Sequence, residues 1–224
     1  MIGKLKRMAD LLASINVAKT LYLNFKVFPI HIARKFPIYV GKNVDILEVH
    51  RDCIAFRDGI SIRNGMVSLG ICKTPMVSNR GLYTFLRITP YAKLVLGDGI
   101  KIYSGCSITV TYNGIAHIGS DFLMNQKSRL YCANSLNIGD HCRIGWESQV
   151  YDSNFHFMYD SINHSIGNAI GNVELGNNVW VGNRCTVAKG SVIPDYAIVC
   201  SNSLVSKRLS NELGGVFGPE CLLA

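Results

Sequence analysis

The sequence predicts a mainly β protein, a parallel β-helix of hexapeptide coils preceded by a helical segment. Three observations predict it. Every sixth residue from Leu175 is a branched aliphatic: Leu175, Val181, Val187, Ile193, Val199, Val205. The positions two earlier, Val173, Val179, Cys185, Ser191, Ala197 and Ser203, are all small or medium in size. The chain carries 21 glycines and only 17% charged residues, a turn-rich balance. Strict alternation would indicate a half-buried strand, and a spacing of about 3.6 a helix. A period of six indicates short extended segments joined by corners, with one aliphatic pointing inward per face.

Residues 1–35 do not follow the period. Leu5, Met8, Leu11, Leu12 and Ile15 recur at mixed helical spacing among Lys4, Lys6, Arg7, Lys19 and Lys26. One or two amphipathic helices are expected. Such a segment caps the solenoid or a neighbour, or docks on an anionic membrane surface. Residues 36–93 read as irregular first coils and loops. The period is faint at Ile38, Val40, Val44 and Ile46, alternation runs over 60–69, and 47–59 and 71–90 are irregular. Terminal repeats of solenoids are commonly atypical.

The regular β-helix is expected over 94–209, followed by a tail at 210–224. Its inward aliphatics form triplets: Leu96, Ile102, Ile108; Ile118, Met124, Leu130; Ile138, Ile144, Val150; then the two triplets from Leu175. Extra residues fall only between triplets: four after Ile108, two after Leu130, nineteen after Val150 and none after Val187. Three hexads therefore make one triangular coil, and insertions are confined to one corner. Five coils at strand spacing give a prism about 24 Å tall. A regular core rejects insertions, so the loop at 151–172 must project, and loops held by a rigid scaffold commonly carry function. It contains Asp152, His156, Asp160 and His164.

Composition bounds the partners. The net charge of +8 admits nucleic acid, anionic lipid, an acidic glycan or a phosphorylated cofactor. No aromatic platform accompanies the charge, so no nucleic-acid partner is expected. The eight cysteines include no C-x-x-C pair. Cys106, Cys142 and Cys185 sit on the small-residue track and read as buried hydrophobes, not as a disulfide framework. With no secretory leader pattern and no apolar run of about 18 residues, a reducing cytoplasm is expected, with peripheral contact to the inner face of the membrane as the variant. No phosphate-binding loop, dinucleotide fingerprint or H-E-x-x-H occurs.

The hexad run, Val179-Trp180-Val181-Gly182, and Ile144-Gly145-Trp146 leading into Tyr151-Asp152-Ser153-Asn154-Phe155-His156 resemble the left-handed β-helix acyltransferases. The resemblance covers about Leu94 to Lys207. It is nearest to the sugar O-acetyltransferases of capsule and lipopolysaccharide biosynthesis, relatives of the maltose and galactoside acetyltransferases. The left-handed sense of the coil comes from the resemblance alone and runs against the usual crossover rule.

What the resemblance implies is a homotrimer with active sites between neighbouring prisms, acetyl-CoA as cosubstrate, and a sugar or polysaccharide acceptor. His156 falls on the family's general base. The chemistry asks for such a group, because a sugar hydroxyl is a poor nucleophile and histidine titrates near neutrality. Asp152, four residues earlier, would hold the imidazole tautomer; its structural alternative is a turn-starting aspartate. His164 lacks the pattern and reads as structural.

Trp180 neighbours an inward aliphatic and so points outward, as a wall for the thioester arm or for another subunit. Asn183, Ser201 and Ser206 fall where relatives contact pantetheine, and Lys207 with Arg208 where they meet the nucleotide phosphates. Asn125 matches an acceptor-contacting position. No metal is expected. The glycine that follows the aliphatic stands at 97, 119, 139, 145, 176 and 182 but is replaced by Ala188, Pro194, Cys200 and Ser206.

Three other readings compete. Transfer to the amine of an amino-sugar uses the same base. A zinc enzyme like the γ-type carbonic anhydrases would need three convergent histidines. A non-catalytic solenoid would leave the Asp-x-x-x-His loop without a role.

Overall fold

The computed structural model describes residues 13–71, 81–209 and 214–218. It is a left-handed parallel β-helix with three faces, as expected. The first face holds eight strands: Ile38–Val40, Val67–Leu69, Ile100–Ile102, Leu123–Met124, Arg143–Ile144, Trp180–Val181, Ile198–Val199 and Val216–Phe217. The second holds seven: Val44–Glu48, Thr84–Ile88, Ser107–Val110, Arg129–Cys132, Gln149–Tyr151, Thr186–Val187 and Leu204–Val205. The third holds six: Ile54–Phe56, Lys93–Leu96, Ile115–Ile118, Ser135–Ile138, Val173–Leu175 and Val192–Ile193.

Each strand pairs with the one a full coil away, so register follows the hexads. Val150 lies against Val187 and Val187 against Val205. The inward track is buried throughout, from Leu96 to Val205. The small track is buried too, and Cys106, Cys142 and Cys185 are free thiols within it. Burial pushes the Cys142 thiol up to about 11, which leaves it an inert filler at neutral pH.

The glycine track has a steric cause. A Cβ at Gly139 would lie 2.5 Å from the Gly176 carbonyl oxygen, and one at Gly145 2.5 Å from that of Gly182. Corners of adjacent coils touch backbone to backbone there. At Cys200 the arrangement reverses, and the facing coil supplies the glycine: a Cβ on Gly218 would meet the Cys200 Cβ at 2.6 Å. The corners also adopt left-handed backbone with ordinary residues. Asp121, Lys127, His141, Glu147, Asn178, Arg184, Tyr196 and Asn202 have φ between 50° and 61°.

The segment read as irregular first coils contains two complete coils. Its strands Ile54–Phe56 and Thr84–Ile88 lie inside the stretches that look structureless in sequence. Helix α1 (Val17–Val27) and the short α2 (Ile30–Ala33) precede them. The helical expectation for Met1 to Leu12 lies outside the described residues.

Helix α1 is the solenoid cap. Leu23 and Val27 are fully buried in the core. Asn24 donates to the Ile38 carbonyl at 2.7 Å and accepts from the Ile38 N–H at 3.2 Å. Thr20 Oγ1 accepts from the Val40 N–H at 3.0 Å. Buried polar side chains of the helix thus replace the missing neighbour of the first strand, an edge that would otherwise recruit another chain.

Candidate active site

The long insertion of the regular coils leaves the second face after Tyr151 and returns at Val173. Its base is closed by Asn154 N–H to the Ala169 carbonyl (2.8 Å) and Gly171 N–H to the Asp152 carbonyl (2.9 Å). Beyond the base, Met158–Asp160 and Ser165–Gly167 form an antiparallel hairpin that is exposed along its whole length. Asp160 organises the turn by accepting from Ile162 and Asn163 N–H. His164 Nδ1 meets the Tyr159 hydroxyl at 3.1 Å.

His156 stands where the loop leaves the base. Phe155, just before it, has φ 65°, and its N–H donates to Ser153 Oγ at 3.0 Å. The Phe155 ring packs on Tyr131 with centroids 4.6 Å apart. Thr111 Oγ1 in turn donates to the Tyr131 hydroxyl at 3.0 Å. These contacts fix the turn and place the imidazole beside a hollow of about 410 Å³, lined also by Tyr112, Tyr131, Phe155, Phe157 and Ile170. The imidazole is exposed, and no side chain of this chain occupies it by a hydrogen bond among the described residues. A neutral ring nitrogen so placed can accept a proton from a group in the hollow.

Asp152 does not orient His156. Its carboxylate is fully buried and accepts three backbone N–H groups, from Ala133 (2.7 Å), Asn134 (2.7 Å) and Ser135 (2.9 Å). Val150 points inward, Tyr151 outward, and so Asp152 inward again. The pairing with the imidazole is corrected to a role in holding the corner beneath the loop.

The other site residues separate into two places. Trp180 is exposed on the first face. Asn183 and Ser201 follow on the corner between the first and second faces. Asn183 Oδ1 accepts from the Trp146 N–H at 3.0 Å, and Asn183 N–H donates to Ser201 Oγ at 3.1 Å. Asn125 lies on that corner too, with Nδ2 donating to the Ile144 carbonyl at 3.1 Å. Ser206 and Lys207, both exposed, lie instead on the corner of His156, two coils on, or about 10 Å along the stack. The chain therefore brings His156, Ser206 and Lys207 to one corner and leaves Trp180, Asn183, Ser201 and Asn125 at another.

The aromatic lining of the hollow was not anticipated. Phe155 and Phe157 flank His156 in the chain, which was a signal. Tyr112 and Tyr131 come from earlier coils and become neighbours only once the register is fixed. Among the described residues, no three His, Cys, Asp or Glu side chains converge so as to hold a metal ion. No helix among them is long and apolar enough to cross a membrane.

No family model matches the chain. Among solved structures it is similar to the polySia-specific acetyltransferase NeuO, with 15% identity over 83% of this chain and 84% of that one and a TM-score of 0.40. It is also similar to the S84T mutant of AntD, an N-acyltransferase from Bacillus cereus in complex with dTDP and coenzyme A, with 14% identity over 82% and 81% and a TM-score of 0.35. Similarities at this level carry no argument about activity.

Proposed function

We propose that the protein is an acetyl-CoA-dependent O-acetyltransferase acting on a sugar hydroxyl of a surface polysaccharide or its precursor. The observation that carries the proposal is His156 itself. Between Leu94 and Lys207 the coils are interrupted at length once, and that interruption presents an unengaged imidazole beside an aromatic hollow. The motifs around Trp146, His156 and Trp180 support the same reading.

In the reaction, His156 takes the proton of the acceptor hydroxyl as its oxygen attacks the thioester carbonyl. The tetrahedral intermediate collapses, the C–S bond breaks, and the coenzyme A thiolate recovers the proton from the imidazolium.

The residues fit coenzyme A along two outer surfaces. Trp180 offers an apolar wall and Asn183 and Ser201 a polar edge, while Ser206 and Lys207 stand ready for pantetheine and phosphate. The split between corners supports a homotrimer in which the Trp180 surface of one copy faces the His156 corner of the next. The exposed Phe157, Met158, Tyr159, Ile162 and Ile166 of the hairpin are then the covering arm. A cytoplasmic protein with access to acetyl-CoA fits this role.

The test is to incubate purified protein with acetyl-CoA and a panel of polysaccharides and sugars, with mass detection of added acetyl groups. Transfer to a hydroxyl is expected. Absence of both transfer and acetyl-CoA binding overturns the proposal.

A further inference from the structure

Helix α1 has more apolar surface than the core uses. At about 100° per residue, Thr20, Leu23, Asn24 and Val27 occupy the arc turned to the solenoid. Val17, Leu21, Phe25 and Tyr22 occupy the neighbouring arc, and they are 59%, 42%, 42% and 53% exposed. Lys26 borders this arc one turn beyond Tyr22. A stable soluble helix has no need of a second apolar stripe, so this one implies a partner.

Charge identifies the partner. From Ala13 to Val44 the chain has five Lys or Arg and no Asp or Glu. Lys26, Arg34, Lys35 and Lys42 are exposed, and none is in an ion pair among the described residues. Lys19 is the exception, paired with Asp45 at 3.7 Å. Of the next acids along the chain, Glu48 pairs with Arg87. A second copy of this face would set like charges together, which opposes self-association. An apolar arc with aromatic residues and a cationic margin is the pattern of a helix lying in a lipid interface.

We propose that this face of α1 docks on an anionic lipid bilayer. The helix caps the N-terminal end of the prism, so docking sets that end on the membrane. The second-face strand at Gln149–Tyr151 is four coils from that at Val44–Glu48. The hollow beside His156 then stands about 19 Å further from the lipid than the first coil does.

The test is co-sedimentation of the full-length protein with vesicles of phosphatidylcholine alone or mixed with phosphatidylglycerol. Binding is expected on the mixed vesicles, not on phosphatidylcholine alone, and added salt should release it. Leu21→Asp should lower the partition coefficient about tenfold, and Lys26→Gln about fivefold. Val17→Asp, at the most exposed position, serves if Leu21→Asp melts early. The proposal is overturned if wild type ignores the mixed vesicles, binds both kinds equally, or if both aspartate variants bind as wild type does. Should those variants alter the sedimenting mass while wild type ignores lipid, the face is instead a contact between copies.

Discussion

Asp152 and Asn134 sit on neighbouring coils, and Asp152 Oδ2 accepts the Asn134 backbone N–H at 2.7 Å. The same carboxylate takes the N–H groups of Ala133 and Ser135. A buried carboxylate engaged three times is a structural keystone for the corner from which the His156 loop departs. Asp152→Ala leaves those donors without a partner and should cost about 2–4 kcal/mol in urea unfolding. Activity should fall through misplacement of the loop. The pH–rate profile of Asp152→Asn should keep the wild-type shape, whereas a residue that tunes the base would displace it.

His156→Ala should abolish transfer, by roughly 10²- to 10⁴-fold in kcat, with no change in melting temperature. The imidazole is exposed and supports no packing, so stability and activity separate at this position. Equal turnover in the variant would move the base elsewhere.

Gly139→Ala should destabilise the fold by about 1–3 kcal/mol. The added methyl would lie 2.5 Å from the Gly176 carbonyl oxygen. Gly59→Ala is the control: nothing lies within 4 Å of its Cβ site, and the cost there comes only from its φ of 81°. A melting series of the two separates crowding between coils from backbone strain.

Asp121 reports on acid stability. Its carboxyl is held below the ordinary carboxylate range by the hydrogen bond from Arg143 first and that from His141 second. A pKa depressed on folding contributes stability above the unfolded value near 4, and that contribution disappears as pH falls through the folded value. Asp121→Asn should therefore be less stable than wild type at neutral pH by a few tenths of a kcal/mol, since the pair is solvent-exposed. The difference should shrink as pH falls below the unfolded value and be lost once the folded carboxyl is protonated. Thermal melts across that range check it.

The solenoid was legible wherever hexads ran unbroken. From Leu175 to Val205 each inward aliphatic is buried as the spacing required. The coils through Ile54 and Thr84 were not, because long connections separate their strands and remove the period. The single-corner insertion rule holds for the regular coils and sets the His156 loop at their corner, while the long connections from Phe56 to Val67 and from Leu69 to Thr84 lie at the other two corners. It could not supply the hollow, whose walls Tyr112 and Phe155 belong to different coils. Asp152 takes the structural one of its two readings. Its spacing from His156 invited a pairing, while strand parity with Val150 already turned it toward the interior.

The left-handed corners have one more consequence. Each ordinary side chain held at φ near 55° costs about 1–2 kcal/mol relative to a residue at ease there. Asn178 and Asn202 already bear this geometry cheaply, while Arg184 and Tyr196 do not. Arg184→Asn and Tyr196→Gly should each raise the unfolding free energy by about 0.5–1 kcal/mol, read in urea melts. The native scaffold is thus not at its thermostability limit, and the room for improvement lies in its bends, away from the loop that carries His156.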